Sequence, residues 1–437
     1  MLRPGVIGKD GRTTAIIQSL RASARVSDVV NLSAWKDQST AEAKREVIEK
    51  ASAERPDFVV IGPEEPLAEG IVDDLARMGI PSVGPTRDLA QLEASKSFTR
   101  ELLRKHGIQG NPRHRVFRSF SPKIEEWLSE LGEFVVKPDG LTGGKGVRVS
   151  GDHLRTIDDG LRYCQELLDA GRPIVVEERL DGEEFSLQSL SDGSSLVHMP
   201  VVQDHKRALE GDRGPNTGGM GSYSCADHRL PFLTAEDIRQ AQLINERVAD
   251  AIRTDAQAPY RGVLYGGFMA TRDGIRLIEY NSRFGDPEAL NVLPLMETDF
   301  ATVCEAIVQG SLGRLAVRFK PLATVCKYLV PKGYPDNPVK GEVIELSKVL
   351  GRQTENLRVY TAAVEERDDM VFITGSRAVA VVGLAPTLDE AFAIAEEAAS
   401  LVDGPVVFRH DIGSRALVEK RVDHMHAILA DRHEAVR

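Results

Sequence analysis

The sequence predicts a multidomain protein of α/β and α+β class: an N-terminal doubly wound parallel-sheet domain, central antiparallel sheets and a C-terminal mixed α/β domain. Strand-like runs alternate with helical patterns over residues 1–90, and such alternation is typical of a parallel sheet. Residues 91–320 instead carry strand-like runs between glycine-rich or charged connectors. A third compact unit, residues 323–437, begins with a further strand-like run.

Local patterns predict the elements of the N-terminal region. Residues 57–61 are a short apolar run that stops at Gly62, and residues 80–83 begin another strand. Between them, apolar residues recur at helical spacing and predict one helix that ends at Gly79. This stripe consists of Leu67, Ile71, Leu75 and Met78.

Further strand-like runs fill the rest of the chain. They are residues 134–137, 174–177, 185–190, 263–270, 275–280, 323–330 and 378–382. Residues 388–401 carry a helical pattern. The residues TRDG at 271–274 join two of the runs, and Asp-Gly between strands predicts a β-hairpin.

Charge and composition exclude several classes of protein. The formal net charge is −11, so sequence-independent binding to nucleic acid is not expected. No run of about 18 apolar residues occurs, so no membrane span is expected, and the first eight residues lack the pattern of a secretory signal. The four cysteines are scattered without metal-ligand spacing, which predicts reduced thiols in a cytoplasmic protein.

A glycine-rich loop follows a predicted strand at residues 134–147, FVVKPDGLTGGKGV. The strand delivers Lys137, and the loop carries a second lysine, Lys145. Glycines let backbone N–H groups approach phosphate oxygens, and ammonium groups neutralise phosphate charge. The spacing of a Walker A loop is absent. A phosphate-binding loop is the functional interpretation, and a flexible hairpin turn is the alternative.

The second strand of the predicted hairpin carries a candidate metal site. Glu279 and Asn281 are two residues apart, so they point to the same face of the strand. Their oxygen atoms suit Mg²⁺. Arg283 continues that face and offers a guanidinium fork for phosphate or carboxylate. The alternative is a solvated strand face with an incidental ion pair.

Two further segments combine charge with turn residues. Residues 203–221 contain QDHKR and GPNTGGMG, and they predict a loop that wraps a ligand or, alternatively, a mobile surface loop. His205 has no second metal-type partner at ligand spacing, so an orienting or structural role is favoured for it. Residues 176–184 turn from a strand into clustered carboxylates, which indicate an adenine and ribose contact or a solvated acidic turn.

Taken in order, these segments resemble the glycinamide ribonucleotide synthetase family, ATP-dependent carboxylate–amine ligases of purine biosynthesis. The strings that carry the resemblance are GPEEPL (62–67), QLEASK (91–96), the loop 137–146, QDHKR (203–207), GPNTGGMG (214–221) and NSRFGDPE (281–288). The resemblance extends to GYP at 333–335 and covers essentially the whole chain. Serine stands at 282, where relatives often carry cysteine.

The resemblance implies a fold and a set of ligands. Residues 91–320 would form an ATP-grasp domain with antiparallel sheets and a mobile lid subdomain at about 115–190. It would lie between an N-terminal domain, residues 1–90, and a C-terminal domain, residues 323–437. The implied cofactors are ATP and Mg²⁺ or Mn²⁺, and the implied substrates are glycine and phosphoribosylamine. A monomer or weak homodimer in the cytoplasm is expected.

The same resemblance implies roles for individual residues. ATP would be bound by Lys96, Lys137, Gly140, Gly143, Gly144, Lys145, Gly146, Glu178, Leu180 and Glu184. The metal would be held by Glu279 and Asn281. The catalytic candidates are Arg283, Asp286, Lys137 and Asp204. The other substrates would be bound by Gly8, Gly11, Arg12, Gly62, Glu64, Pro66, Asp204, Lys206, Gly219 and Arg283.

The implied reaction activates glycine as glycyl phosphate, which an amine then attacks. Metal and lysines would stabilise the phosphoryl group in transfer. One loop departs from the family: residues 8–15 read GKDGRTTA where GxGGREHA is usual, so Thr13 and Thr14 replace glutamate and histidine. A Gly-x-x-Gly turn entering a helix still suits phosphate.

Two alternative functions remain open. The first is a related ATP-grasp ligase with a different acceptor amine, which the departure at Thr13 and Thr14 favours. The second is a catalytically silent nucleotide-binding or regulatory protein. Against the second stand the polar and charged site residues that the chain retains, namely Lys96, Lys137, Glu279, Asn281 and Arg283.

Overall fold

The computed structural model describes residues 1–33, 35, 39–143 and 146–435. Its first part alternates strands and helices in the order β1 (Gly5–Ile7), α1 (Gly11–Arg21), β2 (Val30–Ser33), α2 (Thr40–Glu54), β3 (Val59–Ile61), α3 (Glu64–Ala68), α4 (Ile71–Arg77), β4 (Ser82–Val83) and α5 (Gln91–Ala94). The strands form a parallel sheet in the order β2-β1-β3-β4. Val6 packs with Ile16 of α1, whereas the adjacent Ile7 packs with Val47 of α2. Helices therefore cover both faces, which confirms the predicted doubly wound sheet.

The predicted single helix of this region is wrong, because α3 and α4 are separate helices. Gly70 stands between them with φ 76 in the left-handed region, where a glycine is tolerated and a regular helix cannot continue. Leu67 of α3 and Ile71 of α4 nevertheless enter the same buried cluster. The apolar residues keep their helical spacing because both helices pack one side against the same core.

The next part of the chain forms a small antiparallel sheet with two helices. Its elements are α6 (Lys96–Lys105), β5 (His114–Phe117), α7 (Lys123–Leu131), β6 (Phe134–Pro138), β7 (Arg148–Val149), α8 (Ile157–Asp169) and β8 (Ile174–Glu178). The strand order is β5-β8-β6-β7. Trp127 of α7 and Cys164 of α8 pack against Phe134 and Val176 in a core of their own.

A second antiparallel sheet follows. Its region contains β9 (Gly182–Asp192), β10 (Leu196–His198), β11 (Gln203–Asp204), β12 (Arg207–Leu209), β13 (Arg213–Asn216), β14 (Gly221–Ser224), α9 (Ala235–Ala256), β15 (Arg261–Thr271), β16 (Gly274–Asn281), α10 (Glu288–Val292), α11 (Phe300–Gln309) and a 3-10 turn (Leu312–Arg314). The sheet order is β10-β9-β15-β16. The pairing of β15 with β16 confirms the predicted hairpin, while β12 and β13 form a separate hairpin.

The last part adds β17 (Ala323–Pro331), β18 (Val343–Ile344), α12 (Ser347–Leu350), β19 (Leu357–Thr361), β20 (Val364–Arg367), β21 (Met370–Ile373), β22 (Val379–Ala385), α13 (Leu388–Ser400), β23 (Val406–Val407) and α14 (Arg415–Ala435). A six-stranded sheet runs β11-β14-β17-β22-β19, with β23 paired to β17, and a smaller one runs β18-β21-β20. The larger sheet joins strands from either side of residue 320. The division of the chain into domains at that point therefore stays a prediction.

The described residues show the state of the cysteines and the character of the longer helices. All four cysteines are free, and Cys225 alone among them is only half-buried. No helix in the described part of the chain combines the length and the apolar character that crossing a membrane would need.

Candidate active site

A cluster of cations surrounds the carboxylate of Glu279 on β16. Glu279 lies opposite Gly267 of β15, and both residues line one cleft together with Asp204 and Lys206. Burial opposes ionisation of Glu279, but nearby cations hold its pKa below the usual value. These cations are Lys206, Lys137, Lys96 and Arg283. The structure thus brings the side chains of 137, 279 and 283 into one site.

Lys137 reaches this cleft from β6 and is fixed there by a buried carboxylate. Its Nζ lies 2.7 Å from Oε2 of Glu177 and donates to the carbonyl of Ile278 at 3.2 Å. Arg100 of α6 binds the same carboxylate through Nε at 2.6 Å and a terminal nitrogen at 3.0 Å. Burial opposes ionisation of Glu177, but the two cations lower its pKa to about 2. The ammonium of Lys137 is therefore oriented before any ligand arrives.

Lys96 joins α6 to the glycine-rich loop. Its Nζ donates to the carbonyl of Gly140 at 2.8 Å, and burial together with Lys137 lowers its pKa, against the opposing effect of Glu279. Asp139 accepts from the backbone N–H of Ser97 at 3.2 Å, which fastens the start of the loop to the first turn of α6. The glycines of the loop that lie in the left-handed region are Gly140, Gly143 and Gly146. Of the predicted ATP-binding residues, Gly144 and Lys145 lie outside the described residues.

Lys206 and Asp204 also line this cleft. Lys206 Nζ lies 3.2 Å from Oε2 of Glu184 on β9, and Glu184 is the largest cause of its raised pKa. Burial and the nearby Glu288 raise the pKa of Asp204, and its Oδ1 has no hydrogen-bond partner among the described residues. Gly219, at φ 110, passes so close that a Cβ would fall 2.7 Å from that oxygen.

Arg283 stands between two carboxylates. Its Nε lies 3.1 Å from Glu64 and a terminal nitrogen lies 3.0 Å from Glu93. Burial raises the pKa of Glu93 to about 7 although Arg283 opposes this. For Glu64, Arg283 and Arg12 outweigh burial and lower the pKa to about 2. The guanidinium is therefore held by the first part of the chain, and this joins the N-terminal sheet to β16.

The loop before α1 is closed by its own aspartate. Asp10 caps the helix, accepting from the backbone N–H of Thr13 at 2.8 Å and from its hydroxyl at 2.6 Å. The guanidinium of Arg12 binds Asp10 at 2.8 Å and the carbonyl of Phe284 at 2.9 Å. Thr14 donates to the carbonyl of Thr361 on β19 at 2.7 Å. Both threonines therefore serve contacts within the protein.

The other predicted substrate-side residues surround this loop. A Cβ on Gly8 or Gly62 would fall 2.4 or 2.6 Å from the hydroxyl of Thr13, and Pro66 is buried in α3. Asp286 accepts from the hydroxyl of Tyr328 at 2.6 Å and lies 3.1 Å from the guanidinium of Arg377.

Gly11 packs so closely against Tyr328 that a Cβ would fall 1.9 Å from its hydroxyl oxygen. Only a glycine fits this approach of α1 to β17.

Three predicted residues lie toward the edge of the cleft or away from it. Glu178 ends β8 and accepts from the backbone N–H of Arg113 at 2.8 Å, and Leu180 lies in the connection to β9. His205 is buried, and both ring nitrogens lack hydrogen-bond partners within the described residues. Burial lowers its pKa to about 3. Among the described residues, no group of three or more histidine, cysteine, aspartate or glutamate side chains is placed to hold a metal ion, and the role of His205 stays a prediction.

Several residues of the site were not singled out from the sequence. Arg100 lies four positions after Lys96 on the same helix, so helical spacing could have indicated it. Glu93 lies within the QLEASK string. Tyr265, which donates to Glu288 at 2.7 Å, and Arg377 carry no local signal, because only the packing of distant strands brings them to the site.

Comparison with known proteins covers nearly the whole chain. Residues 4–93, 94–289 and 324–415 match the families described as phosphoribosylglycinamide synthetase N domain, ATP-grasp (A) domain and C domain. A phosphoribosylamine–glycine ligase of Methanocaldococcus jannaschii is 46% identical over 412 residues, 93% of this chain and 91% of that protein. One of Methanosarcina acetivorans is 46% identical over 431 residues, 96% of each chain.

Solved structures agree with these matches. The phosphoribosylamine–glycine ligase of Thermotoga maritima has a TM-score of 0.77 at 28% identity, covering 94% of this chain and all of the other. A biotin carboxylase from Campylobacter jejuni, solved as a β-γ-ATP complex, has a TM-score of 0.70 at 14% identity over 97% of each chain. The second likeness bears on the fold alone.

Proposed function

The chain belongs to the phosphoribosylglycinamide synthetase family, and from this premise we propose the residues by which it joins glycine to 5-phosphoribosylamine. The reaction consumes ATP and gives glycinamide ribonucleotide, ADP and phosphate, a step of purine biosynthesis. One observation carries the proposal: four cationic side chains surround the ionised Glu279, which lines a cleft together with one of them, Lys206. Such a cluster suits a triphosphate beside a small acid.

Lys96 and Lys137 bind the phosphates of ATP in this proposal. Both ammonium groups are already oriented, by Gly140 and Glu177 respectively, so little freedom is lost when the phosphates bind. Residues 140–146 close over the phosphates, and their backbone N–H groups supply further donors. Glu178 and Leu180 border the adenine, and Glu184 takes the ribose hydroxyls.

A divalent cation, Mg²⁺ or Mn²⁺, fits the donors at the end of β16. Glu279 is ionised, and neither it nor Asn281 forms a side-chain hydrogen bond with any described residue, so a carboxylate and an amide oxygen are both available. Hard oxygens of this kind suit such ions, which in nucleotide sites take many of their ligands from phosphates and water. When bound there, the ion would neutralise phosphate charge and orient the γ-phosphate.

The chemistry proceeds in two balanced steps. A carboxylate oxygen of glycine attacks the γ-phosphorus while the bond to ADP breaks, giving glycyl phosphate. The amine of phosphoribosylamine then attacks the carbonyl carbon, a C–N bond forms, and phosphate and a proton are released. In this proposal Arg283 and Asp286 face the γ-phosphate and the glycine carboxylate, and Asp204 and Lys206 lie near the acceptor.

Water exclusion is the task of the glycine-rich segments. Acyl phosphates hydrolyse, so the loop at 140–146 and the residues around Gly219 close before transfer. Gly8, Gly11, Arg12, Gly62, Glu64 and Pro66 border the acceptor side.

We further propose the predicted domain division, with a lid at about 115–190, and a monomer or weak homodimer in the cytoplasm. The free cysteines support a reducing compartment.

A substrate-dependence assay tests the function. ADP release is measured with the purified protein, ATP and Mg²⁺, with glycine and phosphoribosylamine added singly and together. We expect full turnover only with both, since glycyl phosphate persists in a closed site until the amine arrives. Turnover with glycine and another amine, but not with phosphoribosylamine, would instead support the related ligase. Absence of ADP release under every condition would overturn the proposal.

A further inference from the structure

Helix α14 docks on the back of the sheet that carries Glu184. The family match ends at residue 415, where this helix begins. Its residues Val418, Met425 and Ile428 enter the same buried cluster as Phe185 and Leu187 of β9. Apolar burial therefore fixes the helix on β9, whose other face borders the cleft.

Arg421 of α14 joins two acidic side chains that come from different parts of the chain. One terminal nitrogen lies 3.2 Å from Oε2 of Glu183, and the other pairs with Asp212. The side chain of Arg421 is 18% exposed and that of Glu183 is 5% exposed. Ion pairs with so little solvent are screened far less than surface pairs.

Each of these two acidic residues lies close along the chain to one member of the Lys206–Glu184 pair. Glu183 precedes Glu184 on β9, and neighbouring residues of a strand point to opposite faces, so Glu183 faces α14 while Glu184 faces the cleft. Asp212 lies in the turn of the β12–β13 hairpin, which begins directly after Lys206. Arg409 ties that turn to the strand, binding Asp212 at 2.9 Å and the carbonyl of Arg207 at 3.0 Å.

We propose that Arg421 is a positioning residue that sets Glu184, the partner of Lys206, for nucleotide binding from the back of the sheet. The inference rests on the proposed function, since it takes Glu184 as the ribose contact. A fork is needed because two carboxylates must be held at once. A lysine at this position could neutralise only one of them at a time.

The variants are made in the full chain. Arg421→Ala removes the bridge but leaves Glu183 with His424 at 2.7 Å and Asp212 with Arg409, so the fold is retained. Arg421→Lys is the conservative variant, and Asp212→Asn weakens the same bridge from its other end. Arg415→Ala is the matched control, because Arg415 is an exposed arginine on the same helix whose ion pair is with Glu419 of that helix.

Two readouts separate positioning from stability. We expect Arg421→Ala to raise the Kd for ADP, measured by calorimetry, and the KM for ATP about tenfold, with kcat changed less than about twofold. Arg421→Lys should fall between it and the wild type, Asp212→Asn should shift both constants in the same direction, and Arg415→Ala should shift neither. The melting temperatures report any loss of fold.

An unchanged Kd for ADP in Arg421→Ala would overturn the inference even if the ligase reaction proceeds normally. If the wild type binds ADP but does not ligate glycine, the proposed function fails, and the ratio of Kd values still decides the role of Arg421. If Arg421→Ala lowered kcat only in proportion to the fraction of unfolded protein and left KM unchanged, Arg421 would have a structural role and no positioning role.

Discussion

The Nζ of Lys137 lies 2.7 Å from the carboxylate of Glu177, which also accepts a hydrogen bond from the guanidinium of Arg100. The two cations share one buried anion, so Glu177 is the ion-pair partner of both. Arg100 also donates to the carbonyls of Leu277 and Ile278 on β16. This cluster therefore holds β6, β8 and β16 together where the nucleotide phosphates are proposed to bind.

Loss of the ammonium of Lys137 should stop catalysis without unfolding the protein. Glu177 retains Arg100 in Lys137→Ala, so no buried charge is left unpaired. We expect ADP release to fall about a hundredfold to a thousandfold, the range for removing one group that stabilises charge in the transition state. The measurement is steady-state ADP release, with circular dichroism as the check on fold. Lys123→Ala, an exposed lysine on α7, is the control, and equal rates in both variants would refute the assignment.

Glu177 should make stability depend on pH in the acid range. Its pKa of about 2 in the folded protein lies below its ordinary value of 4.5, so the unfolded chain binds the proton more readily. The stabilisation is complete above pH 4.5 and is lost as the pH falls toward 2. Glu177→Gln should lose this dependence and cost about 3–5 kcal/mol at neutral pH, because Arg100 and Lys137 then lack their anion.

Denaturant unfolding at a series of pH values measures this. The free energy of unfolding of the wild type should fall more steeply than that of the variant between pH 4.5 and the lowest pH at which both are folded. Parallel pH curves for the two proteins would contradict the prediction. If Glu177→Gln were as stable as the wild type at neutral pH, the expected contribution of the ion pairs with Arg100 and Lys137 would also be wrong.

Glu279→Gln should weaken the dependence of activity on the divalent cation. The substitution keeps the shape but removes the charge that a hard cation prefers. We expect the Mg²⁺ concentration for half-maximal activity to rise about tenfold or more. Glu125→Gln, on the exposed face of α7, is the control. A metal titration identical to that of the wild type would remove Glu279 from the site.

Gly219→Ala should impair activity through crowding beside Asp204. The new Cβ would fall 2.6 Å from Cδ of Pro287 and 2.7 Å from the Asp204 carboxylate, and φ of 110 disfavours any L side chain. We expect a loss of about 1–3 kcal/mol in stability and a rise in the KM for glycine or phosphoribosylamine.

Gly107→Ala separates these two causes. Gly107 also has positive φ, at 60, but a Cβ there meets nothing within 4 Å, so this variant reports the backbone cost alone. Equal melting temperatures and KM values in the two variants would show that the contacts of Gly219 are unimportant.

The sequence was most informative where a signal is local. The hairpin of β15 and β16 follows from Asp-Gly between two apolar runs, and the loop after Lys137 follows from its glycines. It was less informative at Gly70, because the spacing of the apolar residues on both sides of this glycine is the same for one helix as for two consecutive helices. It was silent on Arg377, which reaches Asp286 from the connection between β21 and β22.

At the start of α1, the structure changes the interpretation of two residues that differ from the family pattern. Thr13 and Thr14 suggested a change in acceptor recognition. In the structure, Thr13 binds Asp10 and Thr14 binds a backbone carbonyl of β19. Because the Thr13 hydroxyl donates to Asp10, the N-cap residue of its own helix, its presence does not indicate which acceptor amine is bound.

The sequence alone determined the class of fold, several of its strands and the types of charged group available, because periodicity and turn chemistry act over a few residues. The tertiary structure decided which charges meet. Glu177 and Arg100 are 77 positions apart, and Arg421 and Glu183 are 238 positions apart. A buried charge needs a partner, but which partner it finds depends on how whole sheets pack.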